Sequence, residues 1–164
     1  SHRNGFIGFV IGSKQNTKKF PINSIIEVCK RVDKPFVLIG GQEDFDDAEY
    51  IKISVGDRIF NSCGKYDISS SASLVNLADK IITNDTGLMH IAAAFNKPIL
   101  SLWGNTVPAF GMYPYLNDNS KSKILEVNQL NCRPCSKIGF NKCPKTHFNC
   151  MHLIPIEKIV EWCY

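Results

Sequence analysis

Short apolar runs alternate along this chain with segments whose apolar residues recur every three or four positions. The run from Phe6 to Ile11 is rich in β-branched residues and ends at Gly12, which predicts a buried strand. After Pro21, apolar residues recur at helical spacing as far as Val32, which predicts a helix. The alternation constrains the fold strongly, because strands separated by helices form a mostly parallel sheet covered on both faces.

The same alternation continues to the end of the chain. Further strands are predicted at 35–39, 58–61, 80–83, 98–102 and 123–127, and further helices at 44–51, after 69–71, at 86–95 and from about 155. The serine run 69–71 is expected to cap one helix, and Asp85 or Thr86 another. The stretch 103–120 lacks a period and predicts a long loop. We expect a Rossmann-like α/β fold of three layers (αβα), forming a single domain over residues 1–164.

Composition limits the functional class. Hydrophobic residues make up 44% of the 164 residues and charged residues 21%, which is typical of a folded globular domain and not of a disordered chain. No apolar run reaches the roughly 18 residues of a membrane-spanning helix, and the first residues lack a signal-peptide pattern. The net charge of +4 comes from scattered lysines. We therefore expect a cytoplasmic protein that does not bind nucleic acid.

Four of the seven cysteines lie in a cysteine-rich loop at residues 130–152, namely Cys132, Cys135, Cys143 and Cys150. The first pair has the spacing of zinc ligands, whereas the later intervals are looser than those of common closed sites. Two interpretations remain open. The four thiols hold a structural zinc ion, or they are free cysteines that pack an irregular loop and form disulfides only on purification.

Chemistry in a sheet of this kind is found beyond the carboxyl ends of its strands. The segment from Asn84 to His90 turns a predicted strand into a helix there, and backbone N–H groups of Thr86 and Gly87 are left without helical partners. Such a helix start binds phosphate, and His90, one turn further on, could donate a further hydrogen bond. The alternative is a capped helix with a partly buried histidine.

A second candidate segment runs from Gly12 to Pro21, between the first strand and the first helix. Ser13 and Thr17 offer hydroxyl donors, and Lys18 offers a mobile positive charge for a phosphate. The segment matches neither the Walker nor the dinucleotide glycine pattern. The alternative is a lysine-rich surface exposed to solvent.

A third candidate lies at Gly40-Gly41-Gln42-Glu43, where two glycines end a strand and a carboxylate follows. A carboxylate at this position commonly accepts hydrogen bonds from ligand hydroxyls. The alternative is that Glu43, beside Asp44, only begins the next helix.

Several segments together resemble the heptosyltransferases of glycosyltransferase family 9. The resemblance is carried by the sequence Asn-Asp-Thr-Gly-Leu-Met-His at 84–90, by Trp-Gly-Asn-Thr at 103–106, and by the turns at 18–21 and 40–43. Cys-Arg-Pro-Cys at 132–135 and the later cysteines agree in order and spacing. The resemblance covers nearly the whole chain and implies the C-terminal, nucleotide-sugar-binding half of a GT-B glycosyltransferase.

The resemblance also implies roles for individual residues. Ser13 and Lys18 would contact the diphosphate, Glu43 ribose or sugar hydroxyls, Tyr66 the base, Asp85 sugar hydroxyls, and Thr86, Gly87 and His90 the diphosphate region. Lys18 and His90 would stabilise the leaving group. The reaction would be inverting transfer of heptose or a related sugar from a nucleoside diphosphate sugar, usually ADP-heptose, to the lipopolysaccharide core or lipid A, with no metal or other cofactor required.

The family keeps its catalytic base and acceptor site in the other, N-terminal half. We therefore expect this chain to bind the donor without efficient transfer, in an enzyme that works at the cytoplasmic face of the inner membrane with peripheral contact. Two alternatives remain open: a sugar-nucleotide epimerase of similar fold, and a zinc-stabilised interaction module without enzymatic activity.

Overall fold

The computed structural model describes residues 5–164 and contains a six-stranded sheet in which every pairing is parallel. The strands are β1 (Ile7–Val10), β2 (Phe36–Ile39), β3 (Ile59–Asn61), β4 (Lys80–Asn84), β5 (Ile99–Trp103) and β6 (Ser122–Glu126). The helices are α1 (Ile22–Arg31), α2 (Phe45–Val55), α3 (Ile68–Leu77), α4 (Gly87–Ala94), α5 (Asn149–His152) and α6 (Ile156–Cys163). The expected α/β fold is confirmed, with all strands parallel rather than most of them.

The strand order is β3-β2-β1-β4-β5-β6, so the chain reverses direction across the sheet between β1 and β4. Ile7 of β1 is in register with Phe36 of β2 on one side and with Lys80 of β4 on the other. Connections leave β1 and β4 toward opposite edges of the sheet, which opens a crevice at their carboxyl ends. This topology fixes where a ligand site can form.

Both faces of the sheet are covered because alternate residues of each strand point to opposite sides. Ile7 and Phe9 of β1 pack in one cluster with residues of α1, α2, α5 and α6. Val10 packs in a second cluster with residues of α3 and α4. The strands are therefore continuous apolar runs, as the sequence predicts for a sheet buried on both sides.

The sequence expectation for the cap of α3 was wrong. The cap of α3 is Asp67, whose carboxylate accepts a hydrogen bond from the Ser70 N–H at 2.8 Å, whereas the serine run lies inside the helix. Asp67 has extended backbone directly before the helix, and a carboxylate satisfies the free N–H groups of a helix start as a hydroxyl does. The expected loop after β5 is confirmed, and it contains two short 3-10 turns at Pro108–Phe110 and Asn119–Lys121.

The end of the chain packs under the sheet. Cys150 and Met151 of α5, together with Ile159 of α6, belong to the same core cluster as α1. The final helix thus begins after Pro155, as expected.

Within residues 5–164, none of the helices combines the length and the apolar character needed to cross a bilayer. The signal-peptide expectation concerned Ser1 to Asn4, which lie outside the described residues.

Candidate functional site

Two adjoining cavities open at the carboxyl ends of β1 and β4. The larger has a volume of about 590 Å³ and the smaller about 390 Å³, a size suited to a small-molecule ligand. The larger is lined by Val10, Gly12, Ser13, Lys14, Asn16, Lys19, Gly40, Gly41, Glu43, Asp44, Thr86 and Leu88. The smaller is lined by Ser13, Lys14, Gln15, Lys18, Asp85, Thr86, Gly87 and Ile138. All three candidate segments therefore meet in one cleft.

Asn84, at the end of β4, holds the floor of this cleft in place. Its fully buried side-chain amide donates to the carbonyls of Val10 and Ile11 at 3.3 and 3.2 Å, and its oxygen accepts from the Phe20 N–H at 3.1 Å. One side chain thus satisfies backbone groups of β1 and of the segment that enters α1. The turn between them, residues 12–19 (the lysine turn), is therefore anchored at both ends.

Lys18 and Asp85 form an ion pair across the smaller cavity. Lys18 Nζ lies 2.8 Å from Asp85 Oδ2, and the two side chains are only 16% and 9% exposed. Thr106 Oγ1 donates to the same carboxylate oxygen at 3.0 Å. An ammonium group has three N–H donors, so Lys18 keeps donors for a ligand while Asp85 fixes its position.

The start of α4 presents backbone donors to the same cavity. Thr86 is the residue before the helix and makes no side-chain cap bond, and Asp85 pairs with Lys18 instead of capping. Of the two expected caps, Thr86 occupies the N-cap position without a side-chain bond, whereas Asp85 does not cap because Lys18 and Thr106 engage its carboxylate. A side chain added at Gly87 would meet no atom within 4 Å, so a ligand can approach the free N–H groups and the positive end of the helix dipole.

A second ion pair closes the back of the larger cavity. Lys19 Nζ lies 2.5 Å from Asp44 Oδ1, and the Gly41 N–H donates to Asp44 Oδ2 at 2.9 Å. Asp44 is buried, and a Cβ at Gly12 or at Gly40 would lie within 3 Å of its carboxylate oxygen. The glycines that end β1 and β2 therefore make room for this carboxylate, which the sequence had suggested only as a neighbour of Glu43.

Of the remaining predicted site residues, two line the cavities and two do not. Ser13 lines both cavities, and Glu43 is exposed on the wall of the larger one. Tyr66, 46% exposed, and the exposed His90 on α4 lie outside the linings of these two cavities.

Sequence reasoning missed Lys14, which lines both cavities. Its signal was its place directly after Ser13, in the turn at the end of β1. Thr106, which donates to Asp85, and Arg133 were also missed as contributors, although the motifs at 103–106 and 132–135 contain them.

The cysteine-rich loop supports the site from outside. Thr17 Oγ1 donates to the Phe140 carbonyl, and the Phe140 N–H donates back to that hydroxyl, both at 2.8 Å. A Cβ at Gly139 would lie 3.4 Å from Lys18 Cε. The loop thus packs directly against the lysine turn.

Of the two interpretations of Cys132, Cys135, Cys143 and Cys150, the zinc ligand set is not formed, and the four cysteines are free thiols. Among residues 5–164, no three or more Cys, His, Asp or Glu side chains come together in a group that could hold a metal ion. The Cys135 thiol donates to the Cys132 carbonyl at 2.9 Å, and Cys132 Sγ lies 3.9 Å from His147 Nε2. Cys150 packs in the apolar core. Cys132, Cys135 and Cys150 therefore have different neighbours, which is the physical reason why the four thiols do not form one ligand set.

Thiol reactivity tests the burial of the individual cysteines. Burial raises the pKa of Cys63 to about 12 and the pKa values of Cys150 and Cys163 to about 11, and it also raises the pKa of Cys29. The thiolate is the reactive form, so these four residues should resist iodoacetamide at pH 8 in the folded protein.

Cys132 and Cys143 are half-exposed and should react first, which peptide mass spectrometry can follow over time. Labelling in denaturant, where all seven cysteines should react, is the control. Rapid labelling of Cys29 or Cys63 in the native protein would contradict the described packing.

Comparison with known proteins finds one family. The model for "Glycosyltransferase family 9 (heptosyltransferase)" matches residues 2–145. Lipooligosaccharide heptosyltransferase 2 of Campylobacter jejuni (serotype O:2) is 31% identical over 104 residues, which is 63% of this chain and 30% of the relative.

Two solved structures share the fold. The Escherichia coli ADP-heptose lipopolysaccharide heptosyltransferase II superposes with a TM-score of 0.79 at 24% identity, over 99% of this chain and 46% of that protein. An Escherichia coli heptosyltransferase solved with ADP gives a TM-score of 0.70 at 16% identity, over 98% of this chain and 44% of that protein. The chain thus spans about a third of the curated relative and under half of these two structures.

Proposed function

The chain belongs to glycosyltransferase family 9, and on that premise we propose that it forms the donor-binding half of a heptosyltransferase. The proposed donor is a nucleoside diphosphate sugar, ADP-heptose, and the acceptor is the lipopolysaccharide core or lipid A. The support from relatives is that one similar structure is an ADP-heptose lipopolysaccharide heptosyltransferase and another was solved with ADP.

The observation that carries the proposal is the concentration of phosphate-binding groups in one cleft. The ammonium of Lys18, the exposed Lys14 and the N-terminus of α4 surround cavities that Ser13 joins. Anions bind at helix N-termini because free N–H groups and the helix dipole both favour negative charge. A diphosphate satisfies this set of donors better than a neutral ligand does.

The same groups supply the chemistry that a leaving diphosphate requires. When the bond from the anomeric carbon to the phosphate oxygen breaks, negative charge grows on the nucleoside diphosphate. Lys18 and the N–H groups at the start of α4 stabilise that charge from fixed positions. His90, one turn along α4, is proposed as a further donor after the ligand binds. The acceptor hydroxyl attacks from the opposite face, so the configuration at the anomeric carbon inverts.

The rest of the donor follows the cleft toward β2. Glu43 is exposed at the larger cavity and is proposed to accept hydrogen bonds from ribose or sugar hydroxyls. Tyr66 follows β3 and is proposed to lie against the base. Asp85 is proposed to hold sugar hydroxyls with the carboxylate oxygen that Lys18 and Thr106 leave free.

The acceptor site and the base that removes its proton are proposed to lie in sequence that the relatives have and this chain does not cover. The chain by itself is then a donor-binding domain without efficient transfer. We propose that the whole enzyme needs no metal, because the cations that stabilise the leaving group are lysines. It would act in the cytoplasm, with peripheral contact at the inner membrane. The family match does not favour the epimerase or the interaction module.

Calorimetric titration of the purified chain with ADP, UDP and GDP tests the donor assignment. We expect ADP to bind at micromolar to low millimolar concentration and more tightly than the other two nucleotides. Preference for UDP or GDP would contradict the assignment of heptose through ADP. Absence of binding for all three nucleotides at millimolar concentration would contradict the donor-binding role of this chain.

A further inference from the structure

Arg133, in the cysteine-rich loop, is the most heavily engaged side chain near the cleft, although it lines neither cavity. Its guanidinium donates to the Val127 carbonyl at 2.7 Å and pairs with Glu126 at 2.9 Å, and its side chain is 4% exposed. Arginine offers five donors in a fixed planar geometry. Its Nε and Nη2 groups also donate to the carbonyls of one short segment.

That segment is 103–106, the turn that follows β5. Arg133 donates to the carbonyls of Trp103 at 3.4 Å, of Thr106 at 3.0 Å, and of Gly104 at short range. The Cys135 N–H donates to the remaining carbonyl, that of Asn105, at 2.9 Å. Four consecutive carbonyl oxygens are therefore held by two neighbouring residues of the cysteine-rich loop, which leaves this turn little freedom.

The turn at 103–106 also determines the position of the Asp85 carboxylate in the proposed donor site. Thr106 is buried, and its hydroxyl donates to the Asp85 oxygen that pairs with Lys18. A displacement of the turn removes this hydrogen bond, and Asp85 then has no fixed orientation in which to hold the ammonium. The chain of contacts runs from Arg133 through Thr106 and Asp85 to Lys18.

We propose that Arg133 is a positioning residue for donor binding, acting through Thr106 and Asp85 on the Lys18 ammonium. This inference rests on the proposed function for its ligand, but its structural part concerns Lys18 with or without nucleotide. It also gives the cysteine-rich loop a role that does not depend on metal.

The first measurement uses nucleotide-free protein. Acetic anhydride modifies lysine amines, and the rate at Lys18 relative to the exposed Lys30 reports how firmly the ion pair holds. Arg133→Lys keeps the charge but not the planar set of donors, and Thr106→Val keeps the shape but not the hydroxyl. Both should raise relative Lys18 modification about threefold or more, whereas Thr106→Ser should not. Unchanged Lys18 reactivity in both variants would overturn the inference, whatever nucleotides bind.

The second measurement is affinity for ADP and for adenosine. Arg133→Lys and Thr106→Val should weaken ADP binding about tenfold and leave adenosine binding within about twofold, because adenosine has no phosphate for Lys18. Equal losses for ADP and adenosine would indicate general damage to the fold and overturn the positioning role. If the unaltered chain bound no ADP while Lys18 reactivity responded as expected, the proposed function would fail and the positioning of Lys18 would stand.

Discussion

Replacing Lys18 by methionine is expected to weaken ADP binding by about a hundredfold. The loss of one partner from a largely buried, hydrogen-bonded charge interaction costs about 2–5 kcal/mol, and each 1.4 kcal/mol corresponds to about tenfold in affinity. Lys18 is mostly shielded from water, and its ammonium lies between the Asp85 carboxylate and the smaller cavity. Calorimetric titration with ADP measures the effect.

The same substitution leaves Asp85 buried without a counter-ion, so a loss of stability must be separated from a loss of binding. Lys18→Met should lower the free energy of unfolding by about 3 kcal/mol, measured by urea denaturation. The double variant Lys18→Met, Asp85→Asn should recover most of that stability and none of the affinity. Lys30→Met removes an equal charge from the exposed surface of α1 and is the matched control. If the Lys18→Met variant bound ADP with an affinity within threefold of that of the unaltered chain, the assignment of Lys18 to the diphosphate would be refuted.

Replacing Asp44 by alanine is expected to lower the free energy of unfolding by about 3–4 kcal/mol. Its buried carboxylate accepts hydrogen bonds from Lys19 and from the Gly41 N–H, and removing one partner of a buried pair leaves the other charge uncompensated. The removed side chain also leaves space between the glycines that end β1 and β2. For a chain of this size the corresponding fall in melting temperature is about 10 °C.

Asp46→Ala is the matched control for Asp44, because Asp46 lies two residues further along the chain and is exposed in the first turn of α2. Its loss should cost less than about 1 kcal/mol, the usual value of a charge near a helix terminus. Asp44→Asn, which keeps the shape and an acceptor for the Gly41 N–H, should fall between the two. Equal stability of Asp44→Ala and Asp46→Ala would show that the Lys19 pair contributes nothing to the fold.

Sequence patterns predicted which segments line the cleft but not the contacts within it. Each candidate segment lies directly after a predicted strand, and the carboxyl ends of parallel strands meet at one edge of a sheet. Ser13, Lys18, Glu43 and Gly87 could therefore be assigned to the cleft in advance. Asp85 was expected to cap a helix, because its neighbours in sequence offer free N–H groups. Its actual partners are Lys18 and Thr106, which lie 67 and 21 residues away along the chain.

What the sequence determined by itself is the set of elements and their burial. Apolar periodicity and turn residues act over a few positions, so β1 and α4 could be predicted from local pattern. The tertiary structure alone decided the strand order that opens the cleft and the pairing of Asp44 with Lys19. It also decided between the two interpretations of the cysteine-rich loop, which forms no zinc ligand set and instead supports the turn at 103–106 through Arg133. Residues far apart along the chain form hydrogen bonds and ion pairs only when folding brings them close together in space. A local sequence pattern therefore cannot show which residues will be partners.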